Sequence, residues 1–128
     1  MSKEAVRTEA APAPFQGAPY SQAIKANGFV FVSGQLALHP GDKEIGIEGI
    51  GPQTEQVLAN LQSILEEAGS SLDRIVKTTV FLQDLSDFPG MNEVYAARIG
   101  STPPARSTVE VAKLPSGALV EIEAIALA

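Results

Sequence analysis

Arg106 stands in the run Pro103-Pro104-Ala105-Arg106-Ser107-Thr108-Val109-Glu110-Val111, where a proline-stiffened loop hands over to a strand-like segment. An arginine at such an entry offers a planar, permanently charged fork that gives a small carboxylate two parallel hydrogen bonds. Further along, the alternating run Leu119 to Leu127 carries Glu121 as its first acid. A fixed cation beside a carboxylate able to move a proton is a toolkit for chemistry on small organic acids. From the residues alone, a structural salt bridge from Arg106 to Glu110 or Glu121 accounts for these types equally well. Both readings stay open on that basis.

Other chemistries are easier to remove. The 128 residues include no Cys and one His, so disulfides, thiol nucleophiles, cysteine-ligated metals and His-paired metal sites within one subunit all fall away. Ser33 lacks a histidine or basic partner for a hydrolytic triad. Gly46, Gly49 and Gly51 are too loosely spaced, and lack the lysine, for a phosphate loop. Fifteen acidic against nine basic residues give a net charge of -6, which repels phosphate backbones and disfavours nucleic acid as a partner. No apolar run approaches the roughly 20 residues of a membrane span, and Met1 to Ala13, with acids and no apolar core, is not expected to act as a secretory signal. The expected setting is the cytoplasm.

With 45% hydrophobic residues and no Trp, the chain builds one aliphatic core, a single domain over 1–128 with residues 1–19 as an extended, Ala/Pro-rich arm. Tyr20 to Ile24 is a short strand candidate, followed by a turn at Asn27-Gly28. Phe29-Val30-Phe31-Val32 is continuously apolar and predicts a central strand buried on both faces. His39-Pro40-Gly41-Asp42 is turn chemistry. Val57, Leu58, Leu61, Ile64, Leu65 and Ala68 fall on one helical face, with Pro52 suited to the first turn and Gly69 to the left-handed stop. Ile75 to Leu82 is a strand. A second helix runs from about Phe88 or Gly90 to Ile99, using Met91, Val94 and Tyr95 and ending at Gly100. Two alternating strands close the chain, Ala105 to Val111 and Leu119 to Leu127.

The pattern is α+β, a mixed sheet with two helices on one face. On the penultimate strand Arg106, Thr108 and Glu110 share one side; on the last, Glu121 and Glu123 share a side with Ile125 and Leu127. The sheet face away from the helices is expected to carry these charges. A face mixing acids with Ile and Leu is neither core nor ordinary solvent surface, which predicts an obligate oligomer.

Four segments in order resemble the Rid/YjgF family of small imine and enamine deaminases. They are Ala18-Pro19-Tyr20-Ser21-Gln22; Val32-Ser33-Gly34-Gln35; Ile75 to Leu82 with Asp84-Leu85; and Pro104-Ala105-Arg106-Ser107 through Glu110 to Ala126. The resemblance implies a chorismate-mutase-like subunit in a homotrimer with clefts between subunits, and no cofactor or metal. It implies that Arg106 grips a substrate carboxylate, that Glu121 activates water, and that Tyr20, Ser33, Gly34, Asn92 and Thr108 line the cleft. The implied reaction is hydrolysis of 2-imino acids such as 2-iminopropanoate or 2-iminobutanoate, or their enamines, to 2-keto acids and ammonia. Two departures from the family pattern bear on specificity: Thr108 replaces a frequent Cys, and a shortened segment before Pro103 carries Arg98 where an aromatic is common. The alternatives are a carboxylate-sensing regulatory trimer without turnover and, disfavoured by charge, RNA cleavage or translation inhibition.

Overall fold

The computed structural model describes residues 2–128. Its elements are β1 (Glu4–Val6), β2 (Ala23–Ala26), β3 (Phe29–Gln35), α1 (Ile50–Glu67), β4 (Ile75–Leu82), α2 (Phe88–Arg98), β5 (Ala105–Glu110) and β6 (Val120–Leu127). They form one six-stranded mixed sheet in the order β1-β2-β3-β6-β4-β5, in which only β4 and β5 are parallel. Among the described residues no helix is long and apolar enough to cross a membrane.

Local chemistry accounts for the element boundaries. Asn27 and Gly28 both take positive φ, 53° and 83°, the tight-turn geometry whose twist matches a β2–β3 hairpin. The apolar stripe of α1 is buried along its whole length, from Val57 to Ala68, and Gly69 takes φ 83° just past the helix end. Both helices pack on one sheet face: Val30, Val80, Ile122 and Ala126 meet Leu58, Leu61 and Met91 in a single core. Buried Asn60 on α1 donates from Nδ2 to the carbonyls of Leu36 and Leu38, at 3.0 and 2.9 Å, and so ties the exit of β3 to the helix layer.

Three expectations change. The N-terminal stretch is more than an extended arm: Glu4–Val6 pairs antiparallel with β2, and Val6 and Ala11 are buried. The side chain of Gln22, itself buried, holds this segment by accepting from Thr8 N–H and donating to the carbonyls of Thr8 and Pro12. Secondly, Phe29 to Val32 is buried on one face only; Val30 is sealed but Phe31 is 43% exposed. An apolar run reports that both faces meet something apolar; among the described residues a small second cluster of Leu36, Leu38, Leu114 and Ala118 reaches the second face at Phe81 but leaves Phe31 open.

The third change concerns the charges. Arg106, Thr108 and Glu110 do not share the open face with Glu121 and Glu123. Across β4, Arg106 pairs with Thr78 and Thr78 with Ala124, both buried under the helices. Glu121 pairs with Phe81, and Phe81 with Val109. Ala124 and Glu121 differ by an odd number of residues, so alternation sets Arg106 and Glu121 on opposite faces. The open face carries Phe31, Lys77, Thr79, Phe81, Glu121 and Glu123.

Candidate functional site

The expected site residues separate into two half-sites. The first is a cleft of about 530 Å³ whose lining includes Phe15, Tyr20, Ser33, Gly34, Glu121 and Glu123. It exists because β3 is irregular: Val32 pairs with Ala124 and Gln35 with Ile122, so β3 spends one extra residue there and Ser33-Gly34 bulges. Ser33 is anchored twice, its amide to Gln22 O at 2.9 Å and its hydroxyl donating to Ser21 O at 2.6 Å. Tyr20 forms part of the wall and accepts from the Phe15 amide at 2.6 Å, bending the loop over the cleft.

Gly34 is glycine for a steric reason. Its backbone has ordinary φ, but a Cβ would collide with the Glu121 carboxylate and stand 2.9 Å from its Cδ. The Glu121 carboxyl therefore lies flat against bare backbone. It is half-buried and has no ion pair or hydrogen bond among the described residues. Burial pushes its pKa above the usual glutamate value, and repulsion from Glu123 adds to the rise. An acid held like this takes and returns protons closer to neutrality than an exposed one.

The second half-site lies across the sheet. Asn92, Tyr95, Ile99, Pro103, Pro104 and Arg106 line a cavity of about 350 Å³ at the β5 edge. The Arg106 guanidinium carbon sits over the rings of Tyr95 and Phe88, 4.8 and 5.4 Å from their centroids. Among the described residues the ion pairs are His39–Asp42 and Arg98–Glu55, so neither Glu110 nor Glu121 pairs with Arg106. Glu110 instead accepts from the Leu85 amide at 2.8 Å. Arg98 bridges α2 to Glu55 on α1 rather than shaping the Arg106 cavity. Thr108, two residues beyond Arg106 on the same face, has a buried hydroxyl oxygen with no hydrogen-bond partner among the described residues.

So Tyr20, Ser33, Gly34 and Glu121 come together, Asn92 joins Arg106 with Thr108 just behind, and the two groups are kept apart by the sheet. Residues 8–128 match the family described as Endoribonuclease L-PSP. The chain belongs to this family, the Rid/YjgF proteins. A RutC family protein of Pyrococcus abyssi is 52% identical over 126 residues, spanning 98% of both chains. Reactive Intermediate Deaminase A, chloroplastic, of Arabidopsis thaliana is 50% identical over 126 residues, 98% of this chain and 66% of that protein. The crystal structure of RidA from an Antarctic Psychrobacter superposes with a TM-score of 0.91 at 45% identity, covering 98% of this chain and 99% of that one.

Three residues that help shape these Rid/YjgF half-sites, Gln22, Asn60 and Phe88, are not among the expected site residues. Gln22 and Asn60 are buried amides that hold backbone groups 10 to 24 residues away, while the Asn60 oxygen also accepts from the Gln56 side chain. Phe88 could have been found, because Phe88, Asn92 and Tyr95 recur at helical spacing just ahead of Arg106.

Proposed function

We propose that the protein is a cofactor-free hydrolase that converts 2-imino acids, 2-iminopropanoate, 2-iminobutanoate or close relatives, and their enamine tautomers, into 2-keto acids and ammonia. It works as a homotrimer in which the Arg106 half-site of one protomer meets the Glu121 half-site of the next. The observation that carries the reading is the Arg106 guanidinium: half-exposed, lining a cavity, and without an ion pair to any carboxylate among the described residues. Such a group is prepared for an external carboxylate. The uncovered sheet face, with Phe31, Val109 and Leu127 each at least 40% exposed, supports a partner subunit there.

The chemistry needs little machinery. The carbon of a protonated imine is already electrophilic, so orientation and one proton carrier suffice. Arg106 binds the substrate carboxylate through its N–H fork, with Asn92 beside it. Ionised Glu121 takes a proton from water as the water oxygen bonds to C2, and returns it to nitrogen in the tetrahedral adduct. The C2–N bond then breaks, ammonia leaves, and loss of the hydroxyl proton gives the ketone. An enamine enters the same path after protonation at C3.

The unpaired, pKa-raised Glu121 favours turnover over passive sensing of a carboxylate metabolite. The test couples the protein to a dehydratase that makes imines in situ from several amino acids and follows imine disappearance. Imine loss above the spontaneous rate is expected, and Arg106→Ala should abolish it while leaving the oligomer intact. Tight 2-keto acid binding with no rate above background would replace this reading by the sensor.

A further inference from the structure

Phe88, Asn92 and Tyr95 stand at i, i+4 and i+7 of α2, which aligns them on one helix face. Arg106 meets that face, with its guanidinium carbon over both rings. The Tyr95 ring is not free to turn. It is buried, and its hydroxyl shares a 2.6 Å hydrogen bond with the hydroxyl of Thr78. Thr78 is fully buried and is the register partner of Arg106 across the β4–β5 pair. Arg106, Thr78 and Tyr95 thus close a loop: strand to neighbouring strand, strand to helix, helix ring back to the guanidinium.

We propose that Tyr95, pinned by Thr78 and assisted by Phe88, is a positioning residue that holds the Arg106 guanidinium by its π face and leaves its N–H edge open. A carboxylate partner would fix an arginine equally well, but would occupy the same donors a substrate needs. An aromatic face attracts the cation without using any N–H group. A two-point hydrogen bond requires the fork's plane to be set in advance, and the clamp supplies that orientation. The identity of the bound carboxylate rests on the deaminase reading; the clamp does not.

The experiment therefore has one arm with a ligand and one without. The ligand-free arm follows the Arg106 Nε–H resonance by NMR, assigned among the four arginines by its loss in Arg106→Lys. In the native protein it should be shifted by the ring currents and well ordered. Tyr95→Leu should move it to the ordinary arginine position and raise its mobility, whereas Tyr95→Phe, which keeps the ring, should retain most of the shift. In the second arm, 2-oxobutanoate is titrated calorimetrically and imine turnover is measured. Tyr95→Leu should weaken binding and raise KM by roughly 3- to 30-fold, the range of one cation–π contact, with kcat little changed. If Tyr95→Leu does not fold, Phe88→Leu, at the less buried ring, must move both readouts in the same direction. An unmoved Arg106 resonance and unchanged affinity in a folded Tyr95→Leu or Phe88→Leu protein would overturn the clamp. A clamp visible by NMR in a protein that neither binds 2-oxobutanoate nor consumes imines would remove the deaminase reading and leave the clamp standing.

Discussion

Replacing Gly34 with alanine adds one methyl group at the point where the Glu121 carboxyl lies against the β3 bulge. The new Cβ would stand 2.9 Å from Cδ and 3.1 Å from Cγ of Glu121, and closer still to Oε2. Carbon atoms settle at about 3.5–4.0 Å, so Cδ has to withdraw by about 0.6–1 Å and the carboxylate oxygens by more. The obstacle is a side-chain end rather than backbone, and Gly34 does not have positive φ, so the fold has a cheap way to yield. An off-rotamer Glu121 costs about 0.5–1.5 kcal/mol, largely offset by the about 0.5–1 kcal/mol that alanine gains over glycine in a strand. Stability should therefore barely change. Activity should not be spared, since a displacement of about 1 Å at a reacting group costs roughly 100-fold. The assay is dehydratase-coupled imine consumption, with urea unfolding and size-exclusion chromatography run alongside. A double-mutant cycle adds the decisive comparison: in a Glu121→Gln background, Gly34→Ala should cost far less than it does in the native chain. A native rate for Gly34→Ala, or the same fractional loss in both backgrounds, would refute the role assigned to Glu121.

Arg106→Lys should lose nearly all turnover while remaining folded and oligomeric, because an ammonium cannot reproduce two parallel N–H bonds; kcat/KM for the imine panel is the check. The acid limb of kcat/KM should lie above the ordinary glutamate range, and Glu123→Gln should shift it to lower pH by removing a like charge, as a pH–rate profile would record. Folded Glu121 binds its proton more tightly than the unfolded chain does, so its contribution to stability is lost as pH rises from about 4.5 through the raised folded value. Glu121→Gln should flatten that part of the pH dependence of Tm. Asn60→Ala strands the Leu38 carbonyl and leaves the Leu36 carbonyl with only the Leu38 amide, and should lower unfolding free energy by about 1–3 kcal/mol in urea titrations.

Much of the architecture was legible in the chain because it is encoded locally. The helical stripe from Val57 to Ala68, the Asn27-Gly28 turn and the strand Ile75–Leu82 each follow from spacings and turn chemistry within a few residues. The N-terminal strand was not legible: Glu4–Val6 has no alternation strong enough to announce itself, and it exists because β2 offers an edge and Gln22 a clamp. The apolar run at Phe29 announces a strand but not that only one of its faces is buried, because hydropathy cannot distinguish burial under a helix from exposure awaiting a partner.

Strand alternation, a property of one segment, established from the letters alone that Arg106 travels with Thr108, and Glu121 with Glu123. Which strands become neighbours, and in what register, is a long-range choice made by packing. The insertion of β6 between β3 and β4 is what puts Glu121 beside Phe81 and Arg106 level with Ala124. That three-residue offset, odd on a pleat of period two, is why the cation and the acid look out from opposite sides of one sheet.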